Sequence, residues 1–413
     1  MRVCLVLPEL RPSGGVAIAV GHAARLRAHA GFDVDVVALG GVGEASAGVR
    51  VLSLADAQRE RYDVAVATWW ETLPALLELD ARRRVAFVQS AEERFYRPEE
   101  SFERLGAALA LTAPVHFFVV ARWLENLVTG LRPDARCWFV PNGIDKSLFE
   151  PREASDAPDG PLRILIEGQH TLWFKGVDDA LDVVSRMREP HTATLLALDP
   201  RDAPAQEGLA VIGGLRPDEM REQYARHDLL LKLSRVEGLP LPLVEACHVG
   251  VPCVVAPFTG HDEVIRHGEN GLVVGFDDAG GAAAVLDLLA RDRSLLRRLS
   301  VGAVETMSGW PSADEAAAAF ATALTDVAEA PEPRTAPTTA AAWRRWRAAA
   351  EVARTERDEV ALRFREHEGS IRWLEEALER VIQQRDDELE ALTSSRTYKL
   401  AQRMQRASHL LRR

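Results

Sequence analysis

The sequence predicts an α/β protein built from two doubly wound, Rossmann-like domains that face each other across a cleft. Short apolar runs alternate with amphipathic helical stretches, and this rhythm begins again near the middle of the chain. Because parallel strands are joined through helical crossovers, such alternation indicates a parallel sheet covered on both faces. A chain of 413 residues is also too long for one ordinary hydrophobic core. A third region of different composition follows the two domains.

The composition is that of a soluble globular protein, with 47% hydrophobic and 27% charged residues. A formal net charge of -12 argues against nucleic acid as a partner of the protein body. No apolar run approaches the eighteen residues of a membrane-spanning helix. The opening MRVCLVLPEL predicts a first strand rather than a leader, and the four cysteines have no paired spacing. We therefore expect a cytoplasmic chain.

The first predicted domain comprises residues 1–150. A first strand leads through a glycine turn into a helix that stops at Gly31. Later strands are predicted at DVDVVAL, DVAVAT, RVAFVQ and HFFVVA. His116 opens the last of these runs, and we assign it to the strand interior rather than to catalysis, because such histidines are more often buried.

The second predicted domain, residues 151–328, repeats the same order of elements. Strands are predicted at LRILIEG, TATLLAL, DLLLKLS, VPCVVAP and NGLVVGF, with helices at GVDDALDVVSRM and PDEMREQYARH. In open α/β sheets, ligands bind outside the carboxyl ends of the strands. We therefore expect the binding site in the cleft between the two domains.

The third region begins with a Pro/Ala/Thr-rich linker at residues 329–342 and continues as a charged helix at 343–392. A short coiled-coil seam is predicted from apolar residues at 4-3 spacing, which are Ile371, Leu374, Leu378 and Val381. The seam indicates a homo-oligomer without specifying its order. The tail, residues 393–413, is basic and amphipathic, which is typical of contact with an anionic membrane surface at the inner face of the cell membrane. A coiled-coil extension with a solvated basic face is an equal alternative.

The stretch EGLPLPLVEA places two carboxylates, Glu237 and Glu245, on either side of a glycine and two prolines. Because of Gly238 and Pro240, we expect Glu237 in a tight turn and Glu245 on the helix that follows. A helix start binds phosphate through its free N–H groups, and a carboxylate accepts hydrogen bonds from a sugar diol. The two together favour a nucleotide sugar as ligand.

Several motifs in the same order resemble those of retaining GT-B glycosyltransferases of the large family four, over about residues 1–325. EGLPLPLVEA resembles the E-x7-E motif of that family. The other matching segments are GGVAIAVGHAARL, FVPNGID, FKGVDDAL and GVPCVVAPFTGHDEVIRHGENGLVV. The resemblance implies a GT-B fold and transfer of a sugar from a nucleotide diphosphate.

The resemblance also implies roles for single residues. Lys175 matches the lysine that reaches the donor diphosphate, Glu245 the glutamate that holds the ribose, and Glu237 the glutamate near the reacting phosphate. Backbone contacts to the donor are implied for Gly14, Gly15, Gly238, Leu239 and Pro240. For the first two glycines, a plain strand-to-helix turn is an equal alternative.

The chain departs from the family pattern just before Lys175. The family has an arginine there as the second cation on the diphosphate, whereas this chain has Gln169 and His170. A lost guanidinium removes a bidentate phosphate contact. Either His170 or another cation compensates, or donor turnover is weak, or the donor site is vestigial.

A narrower resemblance, in TWWET and FVQSAEERFY, links the first domain to bacterial rhamnosyltransferases that act on cell-surface polysaccharides. It makes dTDP-rhamnose the first donor to consider and a glycan or lipid-linked glycan the acceptor. The residues that would line the acceptor side are Trp69, Trp70, Gln89, Glu92 and Tyr96. Ordinary packing beside a strand end is the alternative, which we favour for the two tryptophans.

The implied chemistry retains the anomeric configuration and needs no metal or other cofactor, and no D-x-D clamp occurs in the sequence context expected of one. Glu237 is the candidate nucleophile for a two-step route. We prefer front-face displacement, in which the leaving phosphate takes the acceptor proton and Lys175 stabilises the diphosphate. An epimerase or a phosphorylase on the same fold, and a catalytically degenerate GT-B scaffold, are the alternatives.

Overall fold

The protein is described by a computed structural model that covers residues 1–11, 13–40, 48–152, 160–204, 206 and 208–334. Most of the predicted linker, the charged helix with its coiled-coil seam and the basic tail lie outside the described residues. Those features therefore remain predictions. Within the described residues, no helix is both long enough and apolar enough to cross a membrane.

Within the described residues, the first sheet is formed by seven parallel strands. They are β1 (Arg2–Leu7), β2 (Asp33–Ala38), β3 (Arg50–Leu52), β4 (Arg61–Ala67), β5 (Asp80–Val88), β6 (His116–Val119) and β7 (Cys137–Phe139), in the order β3-β2-β1-β4-β5-β6-β7. The helices between them are α1 (Gly14–Ala30), α2 (Leu54–Ala57), α3 (Leu73–Glu78), α4 (Ser101–Ala110) and α5 (Arg122–Leu131). As predicted, α1 ends at Gly31, whose φ of 67° is left-handed, and His116 is buried in β6.

The second sheet has six parallel strands in the part of the chain that the structure describes. They are β8 (Leu162–Glu167), β9 (His191–Ala197), β10 (Leu209–Gly213), β11 (Leu229–Lys232), β12 (Cys253–Val255) and β13 (Gly271–Val273), in the order β10-β9-β8-β11-β12-β13. The helices are α6 (Val177–Ser185), α7 (Pro217–Arg226), α8 (Leu241–Val249), α9 (Ala279–Arg291), α10 (Arg293–Ser308) and α11 (Ala313–Glu329).

Each sheet reverses its winding direction once, between β1 and β4 in the first sheet and between β8 and β11 in the second. At such a switch point the connections leave in opposite directions, and a crevice opens outside the carboxyl ends of the two strands. In the second sheet, this crevice lies beyond Glu167 and Lys232, the last residues of β8 and β11. The fold thus points to these two strand ends as the place for a ligand.

The strands are buried on both faces because their sequences are almost wholly apolar. Every residue of the stretch 3–7 in β1 is fully buried, and so is every residue of the stretch 229–231 in β11. Continuous apolar runs of this kind are what a parallel sheet covered by helices requires.

One acidic side chain is fully buried in the first sheet and is held by an ion-pair network. Asp35 accepts two hydrogen bonds from the Arg50 guanidinium, at 2.7 and 2.6 Å, and one from the Tyr62 hydroxyl at 3.2 Å. Burial alone would raise the pKa of Asp35, but the hydrogen bonds and charge of Arg50, together with Tyr62 and Arg2, lower it below its ordinary value. The network ties β2 to both β3 and β4.

The last described helix, α11, packs on the first domain rather than on the second. The chain returns from the second domain to the first beside Gly143. There, Ile144 N donates to Pro311 O at 3.1 Å, and Ala313 N donates to Ile144 O at 2.9 Å. The Phe320 ring then lies 4.8 Å from His22, 5.5 Å from Phe87 and 5.4 Å from Phe118, measured between ring centroids. The second predicted domain, residues 151–328, includes almost all of this helix. The apolar face of α11 instead completes the core of the first domain.

Candidate active site

The EGLPLPLVEA segment has the structure that its prolines predict. Helix α8 begins at Leu241 with Pro242 in its first turn, while Glu237 precedes the helix in an irregular loop. Glu245 lies on α8, which ends at Gly250 with a left-handed φ of 89°. The two carboxylates are therefore presented by different elements, a loop and a helix, as expected from the sequence.

Two lysine side chains converge on the Glu237 carboxylate. Lys175 Nζ donates to both of its oxygens, at 2.9 and 3.1 Å. Lys232 Nζ lies 3.0 Å from Oε1 of the same carboxylate and also donates to Oε2 of Glu167. The cluster therefore has two cations and two carboxylates, and it is centred on the carboxyl ends of β8 and β11.

The electrostatics of this cluster favour an ionised Glu237. Burial alone would raise the pKa of its carboxyl, but the charges and hydrogen bonds of Lys175 and Lys232 lower it to about 2. Burial likewise opposes the charge on Lys232, yet Glu167 and Glu237 raise the pKa of this ammonium above its ordinary value. Glu237 is thus an anion across the physiological range.

Sequence reasoning missed Lys232, although a signal was present. It is the last residue of the strand sequence LLLK, and its side chain has no exposed surface. A lysine at the end of an apolar, doubly covered strand is almost never buried without a partner. Such a lysine therefore indicates a carboxylate close to the strand end.

Lys175 is positioned by a short 3₁₀ turn, Trp173–Lys175, and by the glycine that follows it. Gly176 has a left-handed φ of 64°, and a Cβ at this position would lie 2.0 Å from the backbone oxygen of Leu233. Only glycine permits this approach to the end of β11. The Lys175–Gly176 pair thus has a geometric reason, because the glycine brings the preceding lysine to Glu237.

Glu245 borders a cavity of about 360 Å³ between the two domains. The cavity wall includes Gly21 and Arg25 of α1 as well as Leu215 and Met220 of the second domain. Burial raises the pKa of Glu245 to about 7, and the Tyr224 hydroxyl, which donates to Oε2 at 2.8 Å, partly offsets that effect. The cavity is lined by a carboxylate that can accept hydrogen bonds and by apolar side chains. This combination suits a nucleoside.

Gln169 and His170, which stand at the position of the expected arginine, are hydrogen-bonded to acidic residues. Gln169 Nε2 donates to Asp202 Oδ2 at 2.7 Å. His170 Nε2 lies 2.8 Å from Asp178 Oδ1. Neither of these contacts involves the lysine–carboxylate cluster, whose second cation is Lys232.

Gln89 connects loops from both domains. Its side-chain amide donates to Gly15 O at 3.4 Å, at the start of α1. Its backbone oxygen faces Gly238, where a Cβ would lie only 1.7 Å away. Gly14 has open space around its missing side chain, with nothing within 4 Å. The glycine loop of the first domain and the Glu237 loop of the second therefore meet at Gln89.

The other predicted acceptor-side residues form a packed cluster inside the first domain. Trp70 N donates to Glu92 Oε2 at 2.8 Å, and its indole Nε1 donates to the Tyr96 hydroxyl at 2.8 Å. Trp70 and Glu92 are buried, and burial raises the pKa of Glu92 well above its ordinary value. This is the packing role that we favoured for Trp70. Trp69 instead stacks on Phe95, with ring centroids 6.0 Å apart.

Aromatic side chains link this region to the Lys175 turn. The Phe95 ring contacts Phe174, with centroids 4.6 Å apart, and Trp173 Nε1 donates to Phe95 O at 3.0 Å. Trp69, Phe95 and Phe174 thus form a continuous row from the first domain to the second.

A second interdomain contact involves the start of α5. Glu263 of the second domain accepts hydrogen bonds from the backbone N–H groups of Arg122, at 2.9 Å, and Trp123, at 2.7 Å. The Trp123 indole donates to Gly238 O at 3.0 Å. A carboxylate at a helix start satisfies free N–H groups and the helix dipole. Here the carboxylate comes from the opposite domain.

Comparison with known proteins places part of this site within a segment that matches a family model. Residues 201–305 match the family model described as Glycosyl transferases group 1. That segment contains Lys232, Glu237 and Glu245. Among the described residues, no group of three or more His, Cys, Asp or Glu side chains is arranged to hold a metal ion.

Two curated bacterial proteins illustrate the similarity in sequence. The chain is 28% identical to an MMP alpha-(1->4)-mannosyltransferase of Mycolicibacterium hassiacum, over 64% of this chain and 63% of the relative. It is also 28% identical to an exopolysaccharide phosphotransferase of Streptomyces coelicolor, over 57% of this chain but only 26% of the relative. The chain therefore spans less than two thirds of the length of either protein.

Solved structures show the same fold at low sequence identity. Sucrose-phosphate synthase from Thermosynechococcus elongatus has a TM-score of 0.68 at 15% identity, covering 79% of this chain and 99% of that one. Anabaena HepE in complex with UDP-glucose has a TM-score of 0.65 at 15% identity, covering 79% and 100%. These similarities confirm the predicted GT-B arrangement of two Rossmann-like domains.

Proposed function

We propose that the protein is a glycosyltransferase that moves a sugar from a nucleotide diphosphate to a glycan or lipid-linked glycan. The observation that carries this proposal is the cluster of Lys175, Lys232 and Glu237 at the switch point of the second sheet. Lys232 and Glu237 lie within residues 201–305, which match the group 1 family model. Cations at a strand end beside a helix start suit a diphosphate, and the cavity next to Glu245 suits its nucleoside.

In this proposal, the diphosphate lies between Lys175 and the start of α8. Lys175 exchanges its contact with Glu237 for the phosphate oxygens and stabilises the charge that develops as the sugar leaves. Glu245, in its ionised form, accepts hydrogen bonds from the ribose hydroxyls in the cavity. Gly15 and Gly238 bring backbone from the two domains close to the ligand.

For the chemical step we propose front-face displacement with retention of configuration. The acceptor oxygen forms a bond to the anomeric carbon while the bond from that carbon to the diphosphate oxygen breaks. The acceptor proton passes to the leaving phosphate oxygen, so that no protein base is needed. Glu237 would be the nucleophile in a two-step alternative. However, an anion already paired with two lysines is a poor nucleophile.

Donor turnover tests this proposal directly. The purified full chain is incubated with dTDP-rhamnose, UDP-glucose and GDP-mannose, each with and without simple or lipid-linked sugar acceptors. Release of nucleoside diphosphate is measured for the wild type and for the variants Lys175→Ala and Glu245→Ala. We expect dTDP-rhamnose to be used, because the TWWET and FVQSAEERFY segments resemble those of rhamnosyltransferases. Release that both substitutions abolish supports a transferase site and identifies the donor.

Failure to bind or turn over any donor would contradict the proposal and favour a catalytically degenerate GT-B scaffold that self-associates through residues 343–392. A product that retains both the sugar and the nucleotide would instead indicate an epimerase. The basic tail is tested separately by flotation with anionic liposomes. We expect the full chain to float and a chain ending at residue 392 to remain in solution.

A further inference from the structure

Lys232 is a charged side chain in a position where a parallel sheet normally buries apolar residues. Its side chain has no exposed surface, and the three residues before it in β11 are buried leucines. A buried ammonium is unfavourable unless it is paired and hydrogen-bonded. Lys232 meets this requirement through Glu167, at the end of β8, and Glu237, in the loop that follows β11.

The two lysines that contact Glu237 differ in their freedom to move. The side chain of Lys175 is 23% exposed, whereas that of Lys232 is completely enclosed. Lys175 follows a short turn and can exchange partners with a ligand in the cleft. Lys232 extends from the end of a central strand and is held between Glu167 and Glu237.

The charges of the cluster change when a diphosphate enters. In the free protein, Lys175 and Lys232 balance Glu167 and Glu237. A diphosphate that engages Lys175 removes one of the two cations from Glu237 and places new negative charge beside that carboxylate. Without a second cation, Glu237 would then either repel the ligand or take up a proton.

We propose that Lys232 is a positioning residue of the diphosphate site, which keeps Glu237 anionic and in place when Lys175 turns to the diphosphate. In this role it acts through Glu237 rather than on the phosphate itself. This inference rests on the proposed function, since it requires that a diphosphate binds at Lys175.

A purely structural role for Lys232 makes a different prediction. In that case the lysine would only neutralise Glu167, whose side chain is 20% exposed at the end of β8. Removing both charges together would then restore a normal site. The other titratable groups near the cluster are Glu245, whose ionisation is disfavoured by Glu167, and Tyr224, which donates to Glu245. A further one is the buried Cys253 thiol, whose pKa is raised by burial and lowered in part by the charge of Lys232. Any test of pH dependence must therefore hold residue 167 constant.

The experiment measures binding of UDP, GDP and dTDP to the full chain by calorimetry from pH 5.5 to 8.5. It compares the wild type with Lys232→Met, with Glu167→Gln and with the double variant Glu167→Gln/Lys232→Met. Methionine retains the aliphatic volume of lysine, and the double variant leaves no unpaired charge at position 167. The double variant is therefore compared with Glu167→Gln, which has the same residue 167 and differs only at position 232.

We expect the double variant to bind the diphosphate about ten-fold more weakly than Glu167→Gln at pH 7.5, since a hydrogen bond to a charged group has been lost. This deficit should shrink as the pH falls, because Glu237 without Lys232 takes up a proton more readily and no longer repels the ligand. Equal affinities of these two variants at every pH would overturn the inference and leave Lys232 a structural partner of Glu167. Absence of binding by the wild type to all three diphosphates would instead refute the proposed function, and the inference with it.

Discussion

The backbone oxygen of Gln89 in the first domain lies 1.7 Å from the position that a Cβ would take at Gly238 in the second domain. No side chain fits in this gap, so the contact between the two domains depends on glycine at that position. The same loop carries Glu237, and Gly238 O accepts a hydrogen bond from the Trp123 indole. The Glu237 loop is therefore shaped by the opposite domain as well as by its own.

Gly238→Ala should separate the two loops, because a Cβ at position 238 cannot lie so close to a backbone oxygen. We expect donor turnover to fall at least about ten-fold, as expected when catalytic groups shift by about 1 Å. Turnover and the radius of gyration in solution would be measured together. Gly130→Ala is the control, since a Cβ there meets nothing within 4 Å. Full activity and unchanged dimensions in Gly238→Ala would contradict the tight contact at Gln89.

Glu263→Ala should loosen the start of α5, because the backbone N–H groups of Arg122 and Trp123 then lose their acceptor. Removing a cap costs about 1 kcal/mol, which corresponds to roughly five-fold faster hydrogen exchange at these amides. Exchange would be followed by mass spectrometry on peptides that cover α5. Glu269→Ala is the matched control, because Glu269 makes only an exposed ion pair with Arg266 at 3.7 Å. Equal hydrogen-exchange rates in both variants would show that the Glu263 cap does not stabilise the start of α5.

Nucleotide affinity should rise with pH around neutrality, because burial raises the pKa of Glu245 to about 7 and only the ionised carboxylate accepts both ribose hydroxyls. Between pH 6 and pH 8 we expect an increase of about ten-fold, following the ionised fraction. Tyr224→Phe removes the hydrogen bond that lowers this pKa, so its binding curve should shift to higher pH. Calorimetric titrations of both proteins would show the shift. Overlapping curves would exclude Glu245 as the titrating group.

Ionisation of Glu245 also makes the free energy of unfolding depend on pH. The pKa of Glu245 is raised from 4.5 in the unfolded chain to about 7 in the folded protein, so the folded state holds this proton more tightly. The stabilising contribution is present below pH 4.5 and is lost as the pH rises toward 7. Glu245→Gln should therefore become more stable relative to the wild type between pH 5 and pH 8. Urea unfolding at both values measures the change, and a constant difference would contradict it.

Asp35→Ala should destabilise the first domain by about 1 to 3 kcal/mol, because it removes a charged hydrogen-bond acceptor from Arg50 and from the buried Tyr62 hydroxyl. Since the folded-state pKa of Asp35 is lowered, its stabilising effect is present at neutral pH and is lost as the pH falls through that value. Urea unfolding at pH 7 gives the magnitude. Glu222→Gln, which breaks only an exposed pair with Arg226, should change stability by less than about 0.5 kcal/mol. A similarly small change for Asp35→Ala would refute the role of the network.

The sequence predicted most of the strands and the loop-then-helix arrangement of Glu237 and Glu245, because those features depend on local patterns. It missed β3, β7 and β10, which are short strands at the sheet edges and have no fully buried residue, so they lack the apolar run of a central strand. It also missed Lys232, whose burial depends on Glu167, a partner 65 residues away in the chain. The grouping of α11 was unpredictable for a similar reason. An amphipathic pattern specifies which face of a helix is buried but not which sheet covers it.

The position of Phe320 has a consequence for how the protein is made. During synthesis, all seven strands of the first sheet leave the ribosome before α11 has been translated, so the nascent domain exposes the apolar surface around Phe87 and Phe118. That surface stays open until the entire second domain has emerged. The first domain is thus translated before the second but can be completed only after it. We expect a chaperone to bind the apolar surface around Phe87 and Phe118 on the growing chain.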